Sequence, residues 1–107
     1  MITLIENPED FTGFEWNQAK SDANLVERGF DFAAASSVFG SYRVERTASY
    51  PVAGEERYVT TGEIEGVIIT VVWTPRGRNR RIISARLASR AERRDYHDAI
   101  RNRNAGS

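Results

Sequence analysis

The chain has 107 residues, of which 40% are apolar and 28% charged, and its 15 basic and 15 acidic side chains give a formal net charge of zero. That composition describes one folded domain around one core, not a disordered tail. Cysteine is absent and His97 is the sole histidine, which excludes disulfide scaffolds, thiolate nucleophiles and cysteine zinc sites; no acidic cluster has calcium spacing either, so neither metal nor cofactor is expected.

"MITLI" opens the chain, but acids and Pro8 follow at once, and no apolar run with a small-residue cleavage site marks a secretory signal. The longest apolar run, "VIITVVW" at 67–73, is far shorter than a membrane span. A cytoplasmic protein with no membrane partner is expected. The zero net charge is an average over unlike halves: residues 1–66 hold twelve acids and five bases, residues 67–107 three acids and ten bases. Either the basic half offers its field to a polyanion, or the halves neutralise each other across the fold.

In chain order, residues 1–13 form an N-terminal extension, 14–103 the domain and 104–107 a tail. "GFEWN" reads as a short strand. "NQAKSDANLVER" reads as a helix capped by Asn17 and stopped by Gly29, with Trp16, Ala19, Ala23 and Val26 at helical spacing toward the core and Lys20, Asn24 and Arg28 as a polar stripe beside them. Asp31 caps a second short helix, "FAAASSVF", ended by Gly40. The period then changes to two: "YRVERT" and "RYVTTG" read as strands, "GVIITVVWT" as the apolar central strand, "PRGRN" as a turn and "RIISARL" as the last strand. "SRAE" at 89–92 is a capping box that opens the final helix. The expected class is α+β, with helices packed on a small antiparallel sheet.

Positions 80–101, "RRIISARLASRAERRDYHDAIR", hold seven arginines. Strict alternation puts Arg81, Ile83, Ala85 and Leu87 on one face of the last strand and Arg80, Ile82, Ser84 and Arg86 on the other. Arg86, among apolar and small neighbours, calls for an anion: an internal carboxylate, with Glu45, Glu55, Glu56 and Glu92 available, or a bound ligand. On the last helix, Ala88, Glu92, Tyr96, Ala99 and Ile100 form the packed side. Arg90, Arg94, His97 and Arg101 form the opposite one, which reads as a solvated stripe. Arg90 and Arg93 in the first turn lie near the strand end bearing Arg86, and Arg57 opens a strand of its own. His97, beside Asp98 in the basic stripe, reads as a surface side chain, and Tyr96 as a core residue whose hydroxyl reaches the sheet's edge. No P-loop, nucleophile elbow or zinc pattern is present, so the residues alone lead to an anion-binding α+β domain.

The blocks "FEWNQAKSDANLVERGFDFAAASSVF", "GEERYVTTG" and "RRIISARLASRAERRDY" resemble the BrnT toxin family over residues 14–96. The resemblance implies a fold similar to that of RelE-type toxins and a toxin of a type II toxin-antitoxin system, which cleaves RNA and stops translation. It also implies an antitoxin of the ribbon-helix-helix class, BrnA-like, that neutralises the toxin directly in a two-plus-two assembly and alone contacts operator DNA. The matching positions are Trp16, Lys20, Asn24 and Gly29, then Arg57, then Arg81, Ser84, Arg86, Ser89, Arg90, Glu92, Arg93 and Tyr96. Where family members commonly have Lys-His-Gly at the end of the first helix, this chain has Glu27, Arg28 and Gly29. If that histidine moves protons elsewhere, Arg28 is a poor substitute and is better suited to holding a phosphate.

These readings combine into a metal-independent endoribonuclease in which the ribose 2′-OH attacks the adjacent phosphate. Arg86 is the first choice for stabilising charge on phosphorus, with Arg81 and Arg57 behind it; Lys20 or Glu92 assists proton transfer, and Arg28, Arg90, Arg93 and Tyr96 contact RNA. The rivals are a non-catalytic RNA- or ribosome-binding module and a pure interaction protein that docks its basic half on an acidic partner.

Overall fold

The computed structural model describes residues 2–5, 10–48 and 54–105. Positions 1 and 6–9 of the expected extension, and 106–107 of the expected tail, lie outside the described residues. In chain order the elements are β1 (Thr3–Ile5), β2 (Gly13–Trp16), α1 (Gln18–Arg28), α2 (Phe32–Ala35) running on as a 3₁₀ turn (Ser36–Gly40), β3 (Arg43–Thr47), β4 (Tyr58–Ile64), β5 (Val67–Arg76), β6 (Asn79–Leu87) and α3 (Arg90–Ala105). The strands form one six-stranded sheet in the order β1-β3-β4-β5-β6-β2.

The class is α+β as expected, but the sheet is mixed where an antiparallel one was expected. β2 pairs parallel with β6, with Glu15 opposite Arg81 and Trp16 opposite Ile82. Two helices and three strands separate the pair in sequence, so no hairpin turn forces them antiparallel. β1 pairs antiparallel with β3, so the expected extension supplies a strand of the sheet. The two central hairpins close with two-residue turns, Glu65-Gly66 and Gly77-Arg78. Glu65 and Gly66 both have positive φ, the geometry that matches the twist of the flanking strands. Pro75 belongs to β5 and not to the expected turn, because the β5–β6 ladder continues to Arg76 opposite Asn79.

Phe32, Ala35, Val38 and Phe39 from the second helical segment pack on one face of the sheet, against Ile69, Val71, Trp73, Ile82 and Ala85. Trp73 lies at the centre, with Phe11, Phe39 and Tyr58 rings 5.3, 5.7 and 5.0 Å away. Its indole N–H donates to Thr60 Oγ1 at 2.8 Å, and Thr60 donates to Glu45 at 2.7 Å, so the buried polar atom is satisfied. The buried Arg80 guanidinium sits against the Phe11, Phe39 and Trp73 rings, 4.7, 4.2 and 5.0 Å from their centroids. Gly62 is close-packed here, since a Cβ on it would stand 3.1 Å from Val38 Cβ.

α1 has the expected caps: Asn17 accepts from the Lys20 amide at 3.0 Å, and Gly29 takes the left-handed conformation at φ 87°. Its inward face is the reverse of the expected one. Ala19 and Ala23 are exposed and Val26 is 86% exposed, whereas Ser21 and Asn24 are buried. α1 packs against loop and strand backbone, which needs hydrogen-bonding partners. Ser21 Oγ accepts from the Phe32 amide (2.9 Å), Asn24 donates to the Phe30 carbonyl (2.7 Å) and Arg28 to the Ala85 carbonyl (2.8 Å). Trp16 alone of the four expected residues packs on the core.

Among the described residues no helix is long and apolar enough to cross a membrane.

Candidate functional site

One irregularity decides where the arginines of β6 point. The β5–β6 register shifts between Val72, opposite Ser84, and Trp73, opposite Ile82, leaving Ile83 as an extra residue in a bulge. Past the bulge the alternation inverts. Arg80, Ile82 and Ala85 are all buried on the core side, while Arg81, Ser84 and Arg86 share the other face, opposite Thr74, Val72 and Thr70. The strict alternation expected for this strand fails here: Arg81 and Arg86 are on one face, and Arg80 is not with them. No local cue in "RRIISAR" marks the bulge.

At the far end of β6 the structure supplies an internal carboxylate for Arg86. Its guanidinium forms a two-point pair with Glu92, 2.6 Å to Oε1 and 2.9 Å to Oε2. Glu92 also accepts from the Ser89 amide (2.8 Å), from Thr70 Oγ1 (3.0 Å) and from Arg46 (3.4 Å). The expected capping box is complete, since the Glu92 amide returns to Ser89 Oγ at 3.1 Å. Burial alone would push the Glu92 carboxyl up, but the bonds from Arg86, the Ser89 amide and Thr70 outweigh it and hold the group at about 2. The Glu92 hydrogen bond raises Arg86 in turn, against the opposing effect of burial.

At the near end of β6 a cleft of about 220 Å³ is lined by Asn17, Lys20, Glu55, Arg57, Arg81 and the Ile82–Ile83 segment. The parallel pairing of β2 builds it: the chain leaves β2 beside Ile82 and enters α1 at once, so Asn17 and the first turn of α1 stand next to the bulge. Asn17 and Lys20, at the positive end of that helix, line the same cleft as Arg57 and Arg81. Arg57 is fixed from behind. Its carbonyl accepts from the Ala48 amide (2.9 Å), Thr74 Oγ1 holds the neighbouring Glu56 carbonyl (2.6 Å), and its Nε donates to Glu55 (2.9 Å). Arg81 lies 3.5 Å from Glu15 across the parallel pair, and both side chains stay about one-third exposed.

Of the expected site residues, the structure thus brings Lys20, Arg57 and Arg81 together and places Arg86 and Glu92 together elsewhere. Arg81 and Arg86 stand opposite Thr74 and Thr70, four residues apart on β5, so about 13 Å separates the two places at about 3.3 Å per residue. Arg28, at the opposite end of α1 from Lys20, lines a separate apolar groove with Leu25, Phe30, Val67 and Leu87. Arg90 and Arg93 are exposed in the first turn of α3, and Arg94, His97 and Arg101 are exposed along it. Tyr96 is buried, as a core residue should be, and burial followed by the charge of Glu63 raises its hydroxyl. Among the described residues no group of three or more His, Asp or Glu side chains could hold a metal ion.

A family model described as "Ribonuclease toxin, BrnT, of type II toxin-antitoxin system" matches residues 16–92, a range that begins at the end of β2 and closes at the capping box. The chain belongs to the BrnT family. The match takes in Lys20, Arg57, Arg81, Arg86 and Glu92. No curated protein matches the chain. Membership implies an antitoxin partner and ribonuclease chemistry at the level of the family.

The sequence reading missed Glu55 as a member of the cleft, having considered it only as a partner for Arg86. Its place is set by long-range bonds to the 55–57 segment, from Thr74 Oγ1 to the Glu56 carbonyl and from the Ala48 amide to the Arg57 carbonyl, which no local pattern reveals.

Proposed function

We propose that this BrnT-family chain is a metal-independent endoribonuclease whose substrate phosphate sits in the Lys20–Arg57–Arg81 cleft. The convergence of three cations and a helix N-terminus in one half-open cleft carries the reading. Phosphoryl transfer with an RNA 2′-OH as nucleophile needs in-line positioning and fixed positive charge aimed at the equatorial oxygens, and guanidinium groups supply both. The products would carry a 2′,3′-cyclic phosphate and a free 5′-OH. In this reading Lys20, which lines the cleft, gives a proton to the departing 5′-oxygen. Arg86 and Glu92 act by anchoring α3 to the sheet, Arg28, Arg90 and Arg93 contribute RNA contacts beyond the scissile phosphate, and Tyr96, which is buried, supports that surface from beneath.

The wider reading follows the family: a RelE-like toxin acting in the cytoplasm and halting translation by destroying RNA. A BrnA-like ribbon-helix-helix antitoxin neutralises it in a two-plus-two complex and is the only component that contacts operator DNA. The deciding experiment expresses the chain alone and with its antitoxin. Growth and RNA integrity are followed, and RNA ends are analysed after incubation of purified protein in EDTA. Growth arrest alone, relieved by the antitoxin, with cyclic phosphate ends formed in EDTA, is the expected outcome. Salt-sensitive RNA binding with no new ends would replace the enzyme by a binding module.

A further inference from the structure

A cleft of cations alone can hold a phosphate but has nothing to take the proton from an attacking 2′-OH. Arginine does not deprotonate at physiological pH, the Lys20 ammonium is a donor, and Asn17 does not titrate in this range. Glu55 is the carboxylate that lines the same cleft. Its side chain is 23% exposed and held: Oε2 accepts from Arg57 Nε at 2.9 Å, while Oε1 stands 3.8 Å from Arg76, beyond hydrogen-bonding reach, so one oxygen keeps acceptor capacity. The other acid-base candidates are engaged or distant. Both Glu92 oxygens accept from Arg86 and further donors, Glu15 accepts from Asn79 at 3.0 Å and from Arg81, and His97 is exposed on α3 with its ring against Tyr96.

We infer that Glu55 is the general base of the cleft, taking the proton of the 2′-OH that attacks phosphorus. The inference rests on the reading of the cleft as the RNA site. In the step, the O2′–H bond breaks with its proton passing to a Glu55 carboxylate oxygen, and a bond forms between O2′ and phosphorus. The bond from phosphorus to O5′ breaks, and the leaving oxygen takes a proton from Lys20. Proton exchange with water then restores both groups, so neither electrons nor atoms are left over. Arg57 has two tasks here: its Nε orients the Glu55 carboxylate, and its remaining N–H groups are available to the phosphate.

The test compares wild type with Glu55→Gln, Glu55→Asp, Arg81→Ala and a Glu56→Gln control. Single-turnover cleavage of total RNA from the expression host is measured across pH in EDTA, and binding is measured with a fluorescent single-stranded oligoribonucleotide. Glu55→Gln should bind within about 3-fold of wild type, cleave roughly 10²- to 10⁴-fold more slowly and lose the acid limb of the rate profile. Glu55→Asp should recover part of the rate, and Glu56→Gln should match wild type. Thermal melts should leave Glu55→Gln within a few degrees of wild type, because Glu55 pairs only with partly exposed arginines. A Glu55→Gln enzyme that cleaves normally, or that loses rate only in proportion to binding, overturns the base assignment while the cleft stands as the site. Normal cleavage and binding by Arg81→Ala overturn the cleft reading and the base with it, as does a wild-type protein that binds RNA without cleaving it.

Discussion

Arg81 and Arg86 lie on one face of one strand, yet they have different surroundings. Arg86 meets a buried carboxylate that collects five donor contacts from β6, the α3 cap, β5 and β3. Arg81 meets a Glu15 that is about one-third exposed, at 3.5 Å, and opens onto a cleft shared with Lys20 and Arg57. The same side chain is a structural tie where its partner is internal and saturated, and a potential ligand where its partner is weak and solvent can enter. An arginine's worth as a functional candidate is therefore set by whether its counter-ion is already in the fold.

The sharpest way to test that contrast is to remove the hub's carboxylate. Glu92→Ala strips the cap and leaves Arg86 and Arg46 without it, and should cost about 3–5 kcal/mol in chemical denaturation. For a domain of this size the same loss lowers Tm by at least roughly 12 °C. Arg81→Ala and Arg57→Ala should do the reverse, with cleavage down about 10²- to 10³-fold and stability changed by less than about 1 kcal/mol. Arg86→Ala tells the regions apart: arrest of growth should weaken in step with a fall in Tm. Full toxicity from a folded Arg86→Ala protein would remove Arg86 from any role in activity, while lost toxicity at unchanged Tm would move the site toward it.

A smaller effect is expected with pH. The folded chain keeps Glu92 ionised down to about pH 2, whereas the unfolded carboxyl takes its proton near 4.5. The stabilisation is therefore fully present above about pH 4.5 and is lost as pH falls toward 2, amounting to roughly 3 kcal/mol at most. Glu92→Gln should flatten that part of the stability profile, which denaturant titrations at several pH values will show. The smallest effect is on salt dependence. Removing a phosphate contact in the cleft should reduce the slope of log binding constant against log salt by about 0.7 for single-stranded RNA. Arg101→Ala, on the exposed stripe of α3 and paired only with Asp98 at 3.3 Å, should leave the slope unchanged.

The parts of this arrangement legible in sequence are those written within a few residues: the Asn17 and Asp31 caps, Gly29, the Ser89–Glu92 box and the apolar run of β5. Lys20, Arg57 and Arg81 were named as candidates, but their meeting depends on features with no local signature. These are the parallel docking of β2, the bulge at Ile83 and the pinning of residues 55–57 by Thr74. α1 misled for a different reason. Periodicity assumes that a helix buries apolar side chains, and this one rests on backbone groups that bond to Ser21, Asn24 and Arg28 instead.

Among the described residues the two outermost strands are the shortest in the sheet, three residues in β1 and four in β2. Long flat edges invite a further chain to add its own strand, and short ones offer too few hydrogen bonds to hold it. Such a sheet is poorly suited to growing sideways into aggregates when the protein accumulates. What such a fold offers instead is side chains, in the cation-lined cleft and in the apolar groove beside Arg28.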